Sequence, residues 1–316
     1  LLLKDYLTKI DSRLAKANFA TDIETILDQM QLYDGPKEKR IIKNVAAMMF
    51  SEHPEKFFPT TQVDIVVFPK GREVDPENFI EVPPIKGPVP MMIRNSLEYL
   101  RTNIIKERIT KPTDDERSLK VFNYPFQALE EAVVNALYHR DYKEREPVEI
   151  TIEPDRISIL SYSGPDRSIS LESLKEANML RSRRYRNRRL GDFLKELDLT
   201  EGRATGIPTI QKKLRENGSP KATIETDDSR SYFLIDIPAR KDFVQDADKI
   251  RESDIERIKL NVSKMCPRCV QDMSMNELGL LAICLLRAQE EISAQDMLNG
   301  IDRVSFKQKR RKYLDK

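Results

Sequence analysis

The chain has 316 residues, 39% of them hydrophobic and 34% charged, and this balance excludes an intrinsically disordered protein. Its 54 basic and 52 acidic side chains give a net charge of +2, so binding to nucleic acid would depend on local basic patches. Three cysteines exclude a disulfide framework, and no apolar run is long enough to cross a membrane. We therefore expect a cytoplasmic protein without membrane partners, divided into two or three domains because one hydrophobic core does not grow to this length.

The N-terminal third is predicted to contain helices, one strand and a long connection. Residues 1–34 predict two amphipathic helices, the second with Asp22 as its N-cap and Gly35 as its stop. A third helix is predicted in KRIIKNVAAMMF, and the alternation in TQVDIVVF predicts a strand. Residues 69–90 are rich in Pro and Gly and predict an irregular connection, which leads to a helix in MMIRNSLEYLRTNIIKERI.

A helix is predicted over residues 128–142, ALEEAVVNALYHRDY, and one of its edges carries three polar side chains. Apolar residues at helical spacing predict a buried face made of Leu129, Ala132, Val133, Ala136 and Leu137. Glu131, Asn135 and His139, which we call the polar stripe, lie beside that face because steps of four residues advance only about 40° around a helix. Such a stripe borders a cleft in some proteins and is merely solvated in others, and the residues alone leave both interpretations open.

Strands and helices alternate after the polar stripe. PVEITIEPDRISILSYSGP predicts a hairpin around Pro154-Asp155, whose second strand ends at Ser163-Gly164-Pro165. SLESLKEAN predicts a short helix, and an amphipathic helix follows through Leu190, Phe193, Leu194 and Leu197. EGRATGIPTIQKKLRENG predicts a glycine-bearing loop that leads into a helix, and SRSYFLIDIPAR predicts a strand before a polar linker.

A zinc site is not expected from the cysteines. Cys266 and Cys269 have the spacing of zinc ligands, but a structural site needs four ligands. The remaining soft candidates are Cys284, His53 and His139.

The C-terminal tail predicts three short helices over residues 273–316, the third of them basic. This pattern fits a partial winged helix-turn-helix, whose DNA contacts would be Lys309, Arg310 and Arg311. A solvated helix end is the alternative interpretation of the basic stretch.

Three elements in the middle of the chain together indicate nucleotide chemistry: the E-x-x-x-N helix, a strand ending in a glycine turn, and a second glycine loop that opens a helix. Asn135 can supply an oxygen ligand for Mg²⁺, and Glu131 a carboxylate that polarises water. Gly202 and Gly206 would allow phosphates to approach the backbone at a helix N-terminus.

The residues that carry a family resemblance are NYPFQALEEAVVNALYHRDY, EPVEITIEPDRISILSYSGPDRSIS, RRYRNRRLGDFLKELDLTEGRATGIPTI and ETDDSRSYFLIDIP. Over about residues 120–240 the chain resembles the ATP-binding domain of RecG-like and Schlafen AlbA-associated bacterial proteins, a divergent branch of the gyrase, histidine-kinase and MutL ATPase superfamily. The resemblance implies an α+β protein with a Bergerat-type α/β sandwich, a mixed sheet under helices, that binds ATP and Mg²⁺ between the E-x-x-x-N helix and the glycine loop.

The resemblance also assigns roles to residues. Glu131 would be the water-activating catalytic base and Asn135 the metal ligand, while the phosphate lid would be formed by Gly202, Thr205 and Gly206. We place His139 and Gly164 in the same nucleotide site. For His139, a hydrogen-bonding role at the helix end is the alternative to general-base chemistry.

The resemblance implies a domain order as well. Residues 1–115 resemble the α/β segment that follows a Schlafen AlbA domain, with NVAAMMFSEHPEKFFP the closest part and the AlbA domain itself expected to be missing. Residues 116–240 would be the ATPase-like domain, 241–272 a linker, and 273–316 the partial winged helix-turn-helix.

Two departures from the family pattern bear on activity. Tyr162-Ser163-Gly164 stands where the superfamily has a D-x-G turn whose carboxylate accepts from the adenine amine. Ala204 stands where relatives commonly carry Gly, and Ala resists the positive φ that such a loop requires. We therefore expect weak ATP hydrolysis at most.

An arginine-rich segment, RSRRYRNRR, places six arginines in nine positions. Guanidinium groups bind phosphates, so Arg183, Arg184 and Arg186 are candidate nucleic-acid contacts. The alternative is a solvated helix that pairs with acidic neighbours such as Glu196 and Asp198.

These observations favour an ATP- and Mg²⁺-binding regulatory protein that binds DNA as a transcriptional regulator and forms a homodimer. The alternative is a non-enzymatic DNA-binding scaffold or regulator with a degenerate nucleotide site. A helicase motor is not expected, because the sequence contains no G-x-x-x-x-G-K-[ST] loop.

Overall fold

The protein is described by a computed structural model covering residues 2–110, 119–175, 184–200 and 206–244. The helices are α1 (Leu2–Lys9), α2 (Phe19–Gln29), α3 (Asn44–Phe50), α4 (Val89–Asn103), α5 (Phe126–His139), α6 (Leu171–Lys175), α7 (Arg188–Glu196), α8 (Gly206–Asn217) and α9 (Lys241–Val244). The strands are β1 (Tyr33–Asp34), β2 (Ile41–Ile42), β3 (Val63–Val67), β4 (Ile80–Ile85), β5 (Glu107–Thr110), β6 (Leu119–Phe122), β7 (Val148–Ile152), β8 (Arg156–Tyr162), β9 (Thr223–Glu225) and β10 (Tyr232–Pro238). Short 3-10 helices lie at Arg13–Lys16, Lys37–Lys39 and Pro54–Lys56.

The chain divides into two compact units. The described residues of the first lie within Leu1–Val63, Ile85–Glu149 and Ser158–Pro238. Those of the second lie within Asp64–Pro84 and Ile150–Ile157 and from Ala239 to Val244. The predicted linker and helix-turn-helix lie almost wholly outside the described residues.

The N-terminal helices do not begin and end where the sequence predicts. Asp22 is not the N-cap of α2, because its backbone N–H already donates to the carbonyl of Asn18 at 2.8 Å, and Asp22 lies in the first helical turn. A carboxylate is favourable in the first helical turn as well as at the N-cap, so the predicted N-cap lies a few residues after the true start of α2. Gly35 does not end the helix either, since α2 ends at Gln29 and Gly35 has a φ of +82° in the turn between β1 and β2.

The irregular connection predicted over residues 69–90 contains strand β4, so that prediction was wrong. β4 is an end strand of a six-stranded sheet with the order β4-β3-β7-β8-β10-β9. One side of an end strand needs no hydrogen-bonding partner, so such a strand tolerates a proline on that side; because successive residues face opposite sides, this accounts for one of Pro83 and Pro84. The strand predicted in TQVDIVVF is confirmed as β3.

The predicted hairpin is confirmed by β7 and β8, which are neighbours in the sheet. Along β7 the side chains alternate between buried and half-buried, as the sequence pattern requires. β9 pairs antiparallel with β10, with Ile224 opposite Ile235. β9 and the antiparallel pair β5 and β6 were not predicted, since runs of three or four residues are too short for an alternating pattern to be recognised. The helix predicted in MMIRNSLEYLRTNIIKERI was also too long, because α4 ends at Asn103 and residues 107–109 belong to β5.

Helix α5 positions the polar stripe. All five apolar residues predicted for its inner face are buried, and Leu129 and Leu137 are completely so. α5 packs against α4, α8 and β10, so helices cover the sheet next to the polar stripe. The result is a mixed α+β architecture, consistent with the ATPase-like sandwich that the resemblance implies.

Within the described residues, no helix combines the length and apolar character needed to cross a membrane.

Candidate functional site

A cavity of about 370 Å³ lies in the first unit. This volume is within the range of about 300–1,000 Å³ that is usual for small-molecule sites in proteins. Its walls are the C-terminal half of α5, the loop after β8, the residues just before α7, and the first turns of α8. Phe233 and Ile235 of β10 add an apolar surface. Segments that are far apart in the sequence therefore meet around one cavity.

Two of the three residues in the polar stripe line this cavity, Asn135 and His139. Glu131 is not among the described lining residues, and it is hydrogen bonded to its neighbour in the stripe. The Asn135 side-chain nitrogen donates to Glu131 Oε1 at 3.1 Å. This bond uses the amide nitrogen, which leaves the carboxamide oxygen as the atom that Asn135 offers to a cation.

Helix α8 begins directly against the Glu131 and Asn135 pair. A Cβ atom built on Gly206 would lie 2.5 Å from Glu131 Oε1 and 2.6 Å from Asn135 Nδ2, so a larger residue there would have to displace the ends of these two side chains. The start of a helix carries partial positive charge and exposed N–H groups, which favour anions. The other predicted lid residues, Gly202 and Thr205, and the departure at Ala204 lie outside the described residues.

Gly164 also lines the cavity. Glycine is needed there because backbone atoms of a neighbouring segment leave no room for a side chain. Its N–H donates to the carbonyl of Arg230 at 2.8 Å. A Cβ atom at this position would lie 2.6 Å from the carbonyl oxygen of Tyr232 and 2.8 Å from that of Arg230. The loop after β8 is therefore packed tightly against the chain that enters β10.

His139 lies in an aromatic stack at the end of α5. Its ring centroid is 4.5 Å from that of Tyr138 and 5.8 Å from that of Tyr185, with the rings inclined by 30° and 20°. Burial, and to a smaller extent the nearby Arg186 guanidinium, lowers the pKa of His139 to about 4. The imidazole is therefore neutral near pH 7, which suits a role as a flat cavity wall better than a role as a general base.

The low pKa of His139 predicts a pH-dependent stability. The unfolded chain has an ordinary histidine pKa of about 6.5 and so binds more protons than the folded chain between pH 6.5 and 4. We expect the free energy of unfolding to fall by about 2 kcal/mol between pH 7 and pH 4.5 through this residue alone. Urea denaturation of wild type and His139→Gln at both pH values measures the effect. The variant should lose less stability on acidification, and an equal loss in both proteins would contradict the prediction.

The arginine-rich segment forms hydrogen bonds that the sequence analysis did not predict. Arg186 Nη1 donates to the carbonyl of His139 at 2.7 Å, and Arg186 Nε lies 3.8 Å from Asp141 Oδ2. The Asn187 side chain donates to the carbonyls of Tyr138, at 2.8 Å, and Arg140, at 2.7 Å. These donors satisfy the last carbonyls of α5 and hold Tyr185 against His139.

The predicted nucleic-acid contacts are only partly described. Arg184 is exposed and lines the cavity together with Arg186. The positions outside the described residues are Arg183, Lys309, Arg310 and Arg311. Nucleic-acid binding by these basic residues stays a prediction.

Asp166 lines the cavity, although the sequence analysis did not select it. Its Oδ1 accepts the backbone N–H of Ser168 at 2.9 Å. Hydrogen bonds from Ser168 lower the pKa of Asp166, and the charges of Arg184 and Arg186 act in the same direction. The signal that could have indicated it is its position two residues after the glycine turn, on the same loop as Gly164.

No group of three or more His, Cys, Asp or Glu side chains that could hold a metal ion occurs in the described parts of the chain. The three cysteines lie outside these parts: Cys266, Cys269 and Cys284.

The comparisons with known proteins point to the same part of the chain. Residues 146–235 match the family model described as "Putative ATP-dependent DNA helicase recG C-terminal". This stretch is similar to a RecG C-terminal, ATPase-like domain. It extends from β7 into β10 and includes most of the cavity lining, whereas α5 and the polar stripe precede it. The finer Schlafen AlbA association stays a prediction.

A solved structure shares the fold. The crystal structure of the DIP2311 protein from Corynebacterium diphtheriae is similar to this chain, with a TM-score of 0.56 and 17% sequence identity. The similarity covers 92% of this chain and 57% of that one, so this chain spans little more than half the length of that protein. At this identity the likeness shows the fold alone. No match is found among curated proteins.

Proposed function

We propose that this chain is an ATP- and Mg²⁺-binding regulatory protein that acts on DNA as a transcriptional regulator, with weak ATP hydrolysis at most. The observation that carries the proposal is the cavity itself. It joins the Asn135 amide, the N-terminus of α8 and the loop after β8, and most of its lining belongs to the stretch that is similar to a RecG C-terminal, ATPase-like domain.

The residues around the cavity are chemically suited to Mg²⁺ and a triphosphate. The Asn135 carboxamide oxygen is a hard ligand of the kind that Mg²⁺ accepts, alongside phosphate oxygens and water. The N-terminus of α8 and the exposed Arg184 would attract the phosphates. When bound, Mg²⁺ would neutralise phosphate charge, and these residues would hold the triphosphate chain in place.

The position of Glu131 is the reason to propose weak hydrolysis. A general base must come within hydrogen-bonding reach of the water it activates. Glu131 is not among the described residues that line the cavity. The same observation favours the second candidate, a DNA-binding scaffold or regulator in which nucleotide turnover plays no part.

DNA binding and dimer formation are proposed on other grounds. Arg184 is an exposed cation, and Lys309, Arg310 and Arg311 form the basic stretch of the C-terminal tail. Helix-turn-helix proteins commonly bind two half-sites as dimers, which is why a homodimer is proposed. A helicase motor is not proposed, since the sequence has no loop of the type such motors use to bind ATP.

The test is a calorimetric titration of ATP into the protein, with Mg²⁺ and with EDTA. We expect micromolar binding that requires Mg²⁺, and phosphate release slower than about one turnover per second, below the usual range for enzymes. Glu131→Gln should leave the affinity within about twofold while it removes the remaining turnover. Titration of a labelled DNA duplex with and without ATP, at two salt concentrations, tests the regulatory part.

Different outcomes separate the candidates. Mg²⁺-dependent binding without any turnover, accompanied by DNA binding, would favour the scaffold or regulator over the weak hydrolase. Absence of ATP binding with and without Mg²⁺ would overturn the proposed nucleotide site. If the affinity for DNA did not change with ATP, the proposed regulation of DNA binding by the nucleotide would be wrong.

A further inference from the structure

Arg186 connects three of the segments that line the cavity. Its Nη1 donates to the carbonyl of His139 at 2.7 Å, and its Nη2 donates to the carbonyl of Gly164 at 3.4 Å. Its Nε lies 3.8 Å from Asp141 Oδ2. His139 ends α5, Gly164 lies in the loop after β8, and Arg186 itself belongs to the residues before α7. One guanidinium therefore binds its own segment to the two others.

The shape of the Arg186 side chain matters as well as its charge. A guanidinium presents five N–H donors in a rigid planar fork, whereas a lysine ammonium carries all its donors on one nitrogen. Each of the three nitrogens of Arg186 lies next to a protein acceptor. The Asp141 carboxylate is an anion, and the His139 carbonyl carries the partial negative charge of a helix C-terminus. Geometry and charge thus both hold the guanidinium against the protein.

The position of Arg186 bears on the cavity through its neighbours in the chain. Arg184 and Tyr185 directly precede it, and both line the cavity. The Asn187 side chain binds this segment to α5, through the carbonyls of Tyr138 and Arg140. Arg186 adds the hydrogen bond to the loop after β8. A displacement of Arg186 would therefore move Arg184, the cation proposed to attract the phosphates, away from the opposite wall.

We propose that Arg186 is a positioning residue, which holds the cavity in the arrangement that binds nucleotide by joining the residues before α7 to α5 and to the loop after β8. Its N–H groups serve acceptors of the protein, and the phosphates are left to other donors. This inference rests on the proposed nucleotide binding. A cavity that adopts its binding arrangement for only part of the time loses affinity in proportion to that fraction.

Arg186→Lys separates shape from charge, because it keeps the cation and removes the planar fork. Calorimetric titration of ATP with Mg²⁺ should show binding about tenfold weaker than in wild type, as expected when the binding arrangement is populated about one tenth of the time. Circular dichroism at the temperature of the titration checks that the variant is folded. Arg188→Lys is the matched control, since it makes the same change at an exposed position two residues further on and should leave the affinity within about twofold. Wild-type affinity in Arg186→Lys would overturn the inference, because the charge alone would then be sufficient.

Asp141→Asn distinguishes positioning from direct contact with phosphate by the sign of its effect. If Arg186 bound a phosphate, removal of the competing carboxylate would leave ATP binding unchanged or make it tighter. If Arg186 positions the cavity, loss of this partner should weaken ATP binding by about threefold, a small effect because both side chains are about one third exposed. Asn keeps an oxygen for the Lys143 N–H, which Asp141 Oδ1 accepts at 3.0 Å. Glu144→Gln, an exposed change of the same charge in the same turn, is the control and should have no effect on affinity.

The contact of Arg186 with the end of α5 is tested separately, on the protein without nucleotide. The chain has two histidines, so their imidazole signals in an NMR pH titration can be followed one by one, with exposed His53 as the internal reference. Burial lowers the pKa of His139, and the charge of Arg186 lowers it further. In Arg186→Gln the pKa of His139 should therefore rise, while that of His53 stays the same. An unchanged pKa of His139 would mean that the guanidinium does not lie at the end of α5, and the inference would be wrong.

These outcomes can be told apart from a failure of the proposed function. If wild type binds ATP and Arg186→Lys and Asp141→Asn bind it equally well, the positioning role is wrong and the nucleotide site stands. Tighter ATP binding in Asp141→Asn would assign Arg186 to the phosphates and also overturn the positioning role. If wild type does not bind ATP, the proposed function and this inference are both overturned.

Discussion

Asn135→Ala is expected to weaken ATP binding in the presence of Mg²⁺ by about a hundredfold, equivalent to about 2.7 kcal/mol. The substitution removes the carboxamide oxygen that Asn135 offers to the cation, and it also removes the hydrogen bond from Asn135 to Glu131. The substitution should therefore remove the gain in ATP affinity that Mg²⁺ provides. Calorimetric titration should show that the affinity of the variant with Mg²⁺ falls to the value measured with EDTA.

Asn78→Ala is the matched control for this prediction. Asn78 is exposed, belongs to the second unit, and hydrogen bonds within its own loop, to Asp75 at 3.4 Å. This variant should bind ATP as wild type does, with and without Mg²⁺. If Mg²⁺ raised the ATP affinity of Asn135→Ala as much as that of wild type, the prediction would be wrong. The polar stripe would then have a structural role and no role in metal binding.

Gly164→Ala is expected to lower the free energy of unfolding by about 3 kcal/mol, at the upper end of the usual cost of overpacking. The atoms that a methyl group would meet are backbone carbonyl oxygens of Arg230 and Tyr232, which cannot move aside as a side-chain end can. Moving the loop instead would break the hydrogen bond from Gly164 to Arg230. Urea denaturation followed by circular dichroism measures the change.

Ser163→Ala provides the control on the same loop, because it changes a neighbouring side chain that also lines the cavity and adds no atom. It should lower the free energy of unfolding by less than about 1 kcal/mol. A similar small change in Gly164→Ala would mean that the loop is not packed as tightly as the distances indicate. The pair of variants thus tests the packing of the loop separately from nucleotide binding.

The fold was most predictable where local patterns are long. The fourteen-residue helix α5 and the hairpin of β7 and β8 follow from periodicities that repeat several times within one element. β4 was missed because Pro83 and Pro84 indicate a loop, and only its place at the end of the sheet makes a strand acceptable there. The ends of α2 were misplaced because Asp22 and Gly35 each suit more than one local structure.

The candidate site was predictable only in part. Gly206 was selected for close approach of phosphates and Gly164 as a member of the nucleotide site, and each packs closely against groups of the protein itself. Gly206 meets the polar stripe, whereas Gly164 meets the carbonyls of a neighbouring strand segment. Asp166 was missed although it lies two residues after the glycine turn, because that position alone does not distinguish a carboxylate that faces a cavity from one that faces water.

The sequence by itself determined the helix, its buried face and the alignment of Glu131, Asn135 and His139, since these depend on residues a few positions apart. Only the tertiary structure decided that Asn135 and His139 line a cavity, and that Arg186 and Asn187 bind the last carbonyls of α5. The physical reason is distance along the chain. Arg186 lies 47 residues from His139, and such a contact forms only when the sheet and its helices have packed together.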